Sequence, residues 1–212
     1  MKEKIKSYIA RNYEFNTPLF TQDIVESFPS VKQGTIRQIL RRLKSEAFLE
    51  QYSYGVYFRP KKQGVMNKAF ITAEQISNAK YLLKNGVIQG YETGINLANK
   101  LGLTTQTSPF KKIMSNAVAN KERQVKIGNA TYIINAPRVK VTKENYKLLQ
   151  ILDLLDEYAK HFKEGLEQQK DILVSYFKEL PLKKDEVITI IEKYPLRAQV
   201  FFYKIGILNC LP

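Results

Sequence analysis

Residues 20–59 constrain the fold more than any other part of the 212-residue chain, because they have the order helix, turn, helix and hairpin. Residues 20–28 have the composition of a short helix, and Pro29 indicates a turn. Residues 31–47 then repeat apolar side chains at helical spacing, and two short aromatic segments flank Gly55. This order is typical of a winged helix-turn-helix.

The second helix of this stretch has one apolar face and one polar face. Ser30 and Gln33 stand at the spacing of a capping box, which predicts that the helix starts just after Ser30. Five apolar side chains at spacings of three and four predict its buried stripe: Ile36, Ile39, Leu40, Leu43 and Ala47. At about 100° per residue, the residues that fall away from this stripe are Gly34, Arg37, Gln38, Arg41, Arg42 and Ser45.

The polar face carries the residue types that read DNA. Arg pairs bidentately with guanine and Gln with adenine in a major groove, and Gly34 would let the backbone approach a duplex closely. We predict that Arg37, Gln38 and Arg41 read base edges. The full set of predicted DNA contacts is Gln33, Thr35, Arg37, Gln38, Arg41, Arg42, Lys44, Tyr54, Arg59, Lys61 and Lys62. The alternative interpretation is a solvated basic face on an ordinary core helix, and strand packing is the alternative for the hairpin tyrosines.

The positive charge is unevenly distributed. The chain has a formal net charge of +14, and residues 1–69 and 70–140 each carry +7, whereas residues 141–212 are neutral. This asymmetry favours a polyanionic partner for the first two-thirds of the chain. A generic basic surface that aids solubility is the alternative interpretation.

The pattern predicts an α+β protein that is mainly helical, in three segments. These are a winged helix-turn-helix over residues 1–64, a small α+β domain over 65–141 and a helical C-terminal extension over 142–212. The first helix is predicted over residues 2–12, strands over 110–117, 124–127 and 131–134, and helix caps at Thr21, Thr72 and Thr93. Asn85-Gly86 is predicted to stop the helix that begins after Thr72.

Several classes of protein are disfavoured by the residues that the chain lacks. A lone cysteine, Cys210, permits no intramolecular disulfide, and no secretory leader or membrane-length apolar run is present. With His161 as the one histidine, no zinc spacing occurs, and no phosphate-binding or nucleophile motif is found. The acidic run of residues 153–157 is more typical of a solvated helix face than of a metal site. We therefore predict a soluble cytoplasmic regulator that is not an enzyme and has no metal or cofactor.

Four strings in the chain resemble one prokaryotic family. They are Gly90-Tyr91-Glu92-Thr93-Gly94, Leu101-Gly102-Leu103-Thr104-Thr105-Gln106, Asn135-Ala136-Pro137-Arg138-Val139, and Asn145 followed by Leu149-Gln150-Ile151-Leu152-Asp153. Together they resemble the AbiEi-like antitoxins of abortive-infection toxin–antitoxin operons, described as type IV. The resemblance covers roughly residues 1–155.

The resemblance implies a function for each part of the chain. Members of that family have an N-terminal winged helix that binds inverted repeats in their own promoter, where a homodimer could bind, and represses transcription. A C-terminal domain opposes a nucleotidyltransferase-like toxin, which need not be contacted directly. The basic charge of residues 70–140 also permits a contact with DNA or RNA.

Two other functions remain open. The chain could be a protein-interaction module whose helical tail docks a partner, with the winged helix as a scaffold. It could also be a nucleic-acid-modifying enzyme, although no motif in the sequence supports that reading.

Overall fold

The computed structural model describes residues 1–62, 68–119, 122–158, 166–177, 181–206 and 208. The protein is a mixed α+β protein that divides into two compact units, Met1–Ile76 and Ser77–Pro212. Each unit has its own buried apolar cluster.

The first unit combines helices with a small antiparallel sheet. Its elements, in chain order, are α1 (Lys2–Asn12), β1 (Leu19–Phe20), α2 (Thr21–Ser27), α3 (Gln33–Ser45), β2 (Glu50–Ser53) and β3 (Val56–Phe58). The strand order is β1-β3-β2. Gly55 makes the β2–β3 turn with a φ of 75°, a left-handed conformation that glycine adopts without strain. The predicted first helix and the predicted hairpin are thus both present, whereas β1 was not predicted.

One apolar cluster holds the first unit together, and every helix contributes to it. α3 supplies four of its predicted stripe residues, all buried: Ile36, Ile39, Leu40 and Leu43. The other buried members are Ile5, Ile9, Leu19, Ile24, Leu49 and Tyr57. The spacing of three and four is what places the α3 residues on one side, so the sequence pattern and the core agree here.

The ends of α3 differ from the prediction. The helix begins at Gln33 with Lys32 as N-cap and has no side-chain cap, because the Val31 amide bonds the Phe28 carbonyl in the preceding turn at 2.9 Å. The predicted capping box is therefore wrong. Ala47 is exposed and has a φ of 56°, so it ends the helix instead of extending the stripe. Thr21 is also not a cap, since Phe20 takes that position.

The second unit combines a four-stranded sheet and a two-stranded hairpin with helices. Its elements include β4 (Leu83–Lys84), β5 (Val87–Ile88), β6 (Gly90–Thr93), α5 (Ile95–Lys100), β7 (Phe110–Ser115), β8 (Arg123–Ile127), β9 (Ala130–Asn135), α6 (Tyr146–Tyr158), α7 (Leu166–Phe177), α8 (Lys184–Ile191) and α9 (Leu196–Ile205). The larger sheet has the order β6-β7-β9-β8, and only the β7–β9 pair among these is parallel.

Of three local predictions within residues 72–94, one is confirmed and two are wrong. Thr72 does cap a helix, α4 (Ala73–Ser77), where the Gln75 amide donates to its hydroxyl at 3.1 Å. A π-helical segment, Asn78–Leu82, follows, and Asn85-Gly86 then turns the β4–β5 hairpin instead of stopping a helix. Thr93 is not a cap: it is buried on β6, and Gly94 is the N-cap of α5.

The predicted division of the second part of the chain differs from the structure. The buried cluster of the second unit joins side chains of residues 91–141 to side chains of the tail helices α6 to α9. Leu148, Leu152 and Leu155 of α6 are fully buried in this cluster. The described helices α6 to α9 are therefore part of one core with the sheet, not an extension added to a finished domain. The compact unit begins at Ser77 instead of near residue 65.

Candidate nucleic-acid interface

The outer face of α3 is polar and exposed along its length. Its four buried residues occupy one side of the helix, and Gly34, Arg37, Gln38, Arg41 and Ser45 lie opposite them. Each of these residues is exposed, as are Gln33, Thr35, Arg42 and Lys44. The apolar side thus fixes the helix to the core and leaves the guanidinium and amide groups toward solvent.

The side chains at the centre of this face have no partners within the part of the chain that the structure describes. Arg37, Gln38 and Arg41 make no hydrogen bond and no ion pair there. Lys44 differs, because its ammonium donates to Gln51 Oε1 on β2 at 3.0 Å. The central three can therefore change rotamer to meet a ligand, whereas Lys44 is partly fixed against the hairpin.

Gly34 leaves an opening at the N-terminal end of this face. A Cβ added at Gly34 meets no heavy atom within 4 Å, so no packing requirement of the protein explains glycine there. Glycine in a helix costs about 0.5–1 kcal/mol of stability relative to alanine. The opening allows another molecule to approach the helix backbone.

The hairpin places one aromatic side chain far into solvent. Tyr54, beside the turn glycine, is 81% exposed. Tyr57 is buried in the core and Tyr52 is half-buried, so strand packing accounts for those two tyrosines. Of the three, Tyr54 alone is available for a contact beyond the protein.

Arg59 is a correction to the predicted interface. Its Nη1 atom donates to the carbonyls of Ala10 at 3.0 Å and Tyr13 at 2.9 Å, at the C-terminal end of α1. The guanidinium also lies over the Phe15 ring at 4.0 Å. Its charge satisfies the carbonyls at the end of a helix, where cations are favourable, so we remove Arg59 from the set of DNA contacts.

Lys61 and Lys62 follow Arg59 and are both exposed. The backbone of Lys61 is fixed, because Asn16 donates to its carbonyl at 2.7 Å and accepts from its amide at 3.0 Å. Its side chain is available to an anion.

A polar cluster in the second unit includes Asp153, so the prediction of a solvated face for residues 153–157 is wrong for this residue. Asp153 is buried on α6 and accepts a 2.5 Å hydrogen bond from the Tyr91 hydroxyl of β6. Its neighbour Asp156 accepts from Arg138 at 3.1 Å and from Arg197 of α9 at 2.8 Å. Residues i and i+3 lie on the same face of a helix, so Asp153 and Asp156 can both face inward. The sequence alone could not show this, because their partners Tyr91, Arg138 and Arg197 lie in other segments of the chain.

The string Gly90–Thr93 with Gly94 is explained by the same packing. Gln150 of α6 donates to the Glu92 carbonyl at 2.8 Å, and its own carbonyl accepts from Thr93. The Glu92 carboxylate pairs with Lys100. Gly94 has φ 81° and ψ −164°, a conformation open essentially to glycine alone. The string thus couples β6 to α6, and it forms no phosphate loop.

Burial changes the ionisation of this cluster. Burial raises the pKa of Asp153 to about 6, and the hydrogen bond from Tyr91 and the charges of Arg138 and Lys112 oppose that rise. Burial likewise raises the pKa of Tyr91. With Tyr91, Asp153 and Tyr194 all sealed from solvent, the arrangement joins elements and offers no opening to a substrate.

Replacing Asp153 should alter the pH dependence of stability. An ordinary Asp pKa is about 3.9 in the unfolded chain, so the folded protein holds the proton more tightly between pH 4 and 6. The contribution of Asp153 to the free energy of unfolding is therefore largest below pH 4 and falls as pH rises to about 6. Asp153→Asn keeps an acceptor for Tyr91 and cannot titrate. We expect the variant to gain about 3 kcal/mol relative to the wild type between pH 4 and 7, in urea unfolding; parallel pH profiles would contradict this.

The sequence predicts that the whole chain lacks metal sites and membrane-spanning segments. The structure allows a search for both among the residues that it describes. Among the described residues, no group of three or more His, Cys, Asp and Glu side chains is placed to hold a metal ion. No helix in those ranges has the length and apolar character needed to cross a bilayer. His161 and Cys210 lie outside the described residues.

A protein-family model matches most of the sequence. No curated protein matches the sequence significantly. The model of a protein family of unknown function, DUF6088, matches residues 4–174. That match includes all of α3, the hairpin and the Tyr91–Asp153 pair, and it spans well over half of the 212 residues. The chain therefore belongs to the DUF6088 family.

Proposed function

We propose that this protein is a winged helix-turn-helix repressor that binds its own promoter and serves as the antitoxin of a type IV toxin–antitoxin operon in the cytoplasm. The order of α1, β1, α2, α3 and the β2–β3 hairpin supports the winged-helix assignment. In this assignment α3 is the recognition helix and the hairpin is the wing.

The single observation that carries the proposal is the outer face of α3. Arg37, Gln38 and Arg41 are exposed, without partners among the described residues, and opposite a fully buried apolar stripe. A solvated basic face would explain their exposure. It would not explain why an open glycine, Gly34, stands in the first turn of the same face.

Each polar group on this surface has a proposed role. Arg37, Gln38 and Arg41 read base edges in the major groove, with Gln33 and Thr35 in the first turn of α3. Arg42 and Lys44 bind phosphates on either side, and Lys61, Lys62 and the wing Tyr54 extend the backbone contact. Two copies of the chain bind an inverted repeat whose half-sites lie about one helical turn, ~34 Å, apart.

The antitoxin role rests on the four strings that resemble the AbiEi-like family. Two of them meet in the second unit, since Tyr91 bonds Asp153 and Gln150 bonds Glu92. We propose that this unit opposes a nucleotidyltransferase-like toxin encoded beside it, with or without direct contact. Growth of cells that express the neighbouring gene with and without this chain tests the role, and equal growth arrest in both would reject it.

The repressor role is tested by footprinting the purified chain on the DNA upstream of its own gene. We expect protection of an inverted repeat and strong competition by unlabelled operator, but not by a scrambled duplex of the same length. Retardation that both competitors abolish equally would show binding without sequence preference and would reject a repressor that reads bases.

Gly34→Ala separates stability from DNA binding. Alanine should stabilise the first unit by about 0.5–1 kcal/mol, because the added methyl meets nothing and lowers the entropy cost of the helix. If the DNA backbone or a base edge approaches Gly34 closely, the same methyl should weaken operator binding. We expect a higher melting temperature together with a Kd raised about tenfold, a steric cost near 1.4 kcal/mol. A stabilised variant with unchanged affinity would place the duplex elsewhere on the helix.

A protein-interaction role is the second candidate, and one feature of α9 favours it. Leu196, Val200 and Tyr203 are exposed at spacings of four and three, so they form an apolar stripe on that helix. A stable complex with the neighbouring gene product, together with no retardation of any duplex, would favour this role over the repressor.

A further inference from the structure

A groove at the C-terminal end of α1 has the chemistry of a nucleotide site, and of the residues that line it the DNA-binding proposal uses only Lys61. Its volume is about 600 Å³, within the range of small-molecule sites. The side chains that line it include Arg11, Glu14, Phe15, Arg59 and Lys61. Three cations and one carboxylate give these side chains a positive balance.

Phe15 stands in this groove as an exposed aromatic platform. Phe15 is 48% exposed, although phenylalanine side chains are usually buried in folded proteins. The guanidinium of Arg59 lies 4.0 Å from the ring centroid, and the Lys61 ammonium lies 5.9 Å from it. Stacking on a cation holds the ring in one orientation and leaves aromatic surface open to solvent.

The platform is fixed by hydrogen bonds instead of by apolar burial. Arg59 cannot swing away, because its guanidinium bonds the Ala10 and Tyr13 carbonyls. The loop that carries Phe15 is held from its other side by Asn16, which is buried, has a φ of 55° and pairs with both backbone groups of Lys61. A pre-ordered ring loses little entropy when a ligand stacks on it.

From this geometry we propose that the groove binds an unstacked nucleotide. The base stacks on the open surface of Phe15, and Arg11 and Lys61 bind the phosphate. Base–aromatic stacking beside a cationic groove is how proteins hold single-stranded nucleic acid without sequence preference. The same chemistry would serve a free mononucleotide, so the source of the nucleotide is settled by the test. The proposal is independent of duplex reading by α3.

The chain offers a direct reporter for this site, because it contains no tryptophan. Phe15→Trp in the full-length protein places one indole on the platform, and a stacked base should quench its fluorescence. We expect saturable quenching when AMP or an eight-residue oligo(dA) is added. A midpoint at much lower concentration for the oligonucleotide would identify a single strand as the source, and similar midpoints would identify the free nucleotide.

Charge variants in the Phe15→Trp background test the phosphate contacts. Arg11→Ala and Lys61→Ala should each raise the midpoint about two- to fivefold, and Glu14→Gln should lower it by a similar factor, as exposed charges do. Phe15→Ala should weaken binding measured by calorimetry roughly tenfold or more, as loss of one base stack predicts. Its affinity for the operator duplex should stay within about twofold of wild type, which separates this site from the α3 surface.

Tyr203→Trp is the matched control, since Tyr203 is 47% exposed, lies on α9 of the second unit and does not line the groove. Its fluorescence should fall only linearly with nucleotide concentration. The proposal is overturned if Phe15→Trp shows no saturable quenching with either probe. It is equally overturned if the quenching of Phe15→Trp matches that of Tyr203→Trp. The same holds if the Arg11, Lys61 and Glu14 substitutions leave the midpoint of the quenching unchanged.

Discussion

Gly90→Ala is expected to destabilise the second unit strongly, although it adds only one methyl group. Gly90 is buried at the start of β6, and a Cβ built there lies 2.2 Å from the Tyr81 carbonyl oxygen and 2.6 Å from that of Met114. Both neighbours are backbone atoms, so no side-chain rotation can relieve the clash. We expect a loss of about 3 kcal/mol or more, at the upper end of overpacking effects.

The reason that Gly90 has no room is the pairing of its strand. Gly90 stands opposite Ser115 in the β6–β7 register, and the Ser115 hydroxyl donates to the Tyr81 carbonyl at 2.6 Å. The methyl group would therefore push apart three segments that already share hydrogen bonds. Thermal unfolding should begin roughly 10 °C lower, and amide exchange in β6 and β7 should quicken first.

Gly34→Ala is the control for this substitution. It adds the same methyl group to the same chain, at a site where nothing lies within 4 Å, and should raise stability instead. If Gly90→Ala melts like the wild type, the close approach of the two carbonyls is not a feature of the folded protein, and the explanation of the glycine is wrong.

Local sequence patterns predicted the features of this fold that depend on a repeating spacing of side chains. Helical spacing placed Ile36, Ile39, Leu40 and Leu43 in the core, because burial on a helix depends on a period that the sequence itself displays. The hairpins of residues 50–58 and 123–135 were predicted from alternation and turn residues for the same reason.

Features that depend on the partner of a residue could not be predicted in this way. Asn85-Gly86 has the same composition whether it ends a helix or turns a type I′ hairpin, and the pairing of β4 with β5 decides between them. Ser30 had the residue type of a cap, but the preceding turn delays the helix to Gln33. The type of a residue thus limits its possible roles, and the tertiary neighbours select one.

The candidate sites also divide into features that a local pattern predicts and features that depend on distant partners. The exposed face of α3 was predictable, since it is the complement of a periodic apolar stripe. The Tyr91–Asp153 bond joins residues 62 positions apart, and Arg59 contacts α1 from 46 and 49 positions away. No local pattern reports such distances, so one buried carboxylate and one structural arginine were assigned to the surface.

The double substitution Arg37→Ala with Arg41→Ala should abolish specific binding to the operator. Each arginine that reads a guanine is worth about 1–3 kcal/mol, so the pair should cost about 2–6 kcal/mol, or roughly thirtyfold to more than ten-thousandfold in Kd. The fold should survive, because both side chains are exposed and make no hydrogen bond or ion pair within the described residues. Titration of the wild-type and variant proteins against the footprinted duplex at one salt concentration measures the effect.

Two further variants show whether the lost affinity comes from reading bases or from charge alone. Lys143→Ala with Lys193→Ala removes the same two positive charges from exposed positions in the second unit, and it should leave operator affinity nearly unchanged. Arg42→Ala should weaken binding to operator and scrambled duplex alike and reduce the slope of log Kd against log salt by about one, as a single phosphate contact does. Arg37→Ala alone should instead relax the preference at one base pair. If the double arginine variant lowers affinity for both duplexes equally, α3 contacts only the phosphate backbone, and the protein recognises its operator through another surface.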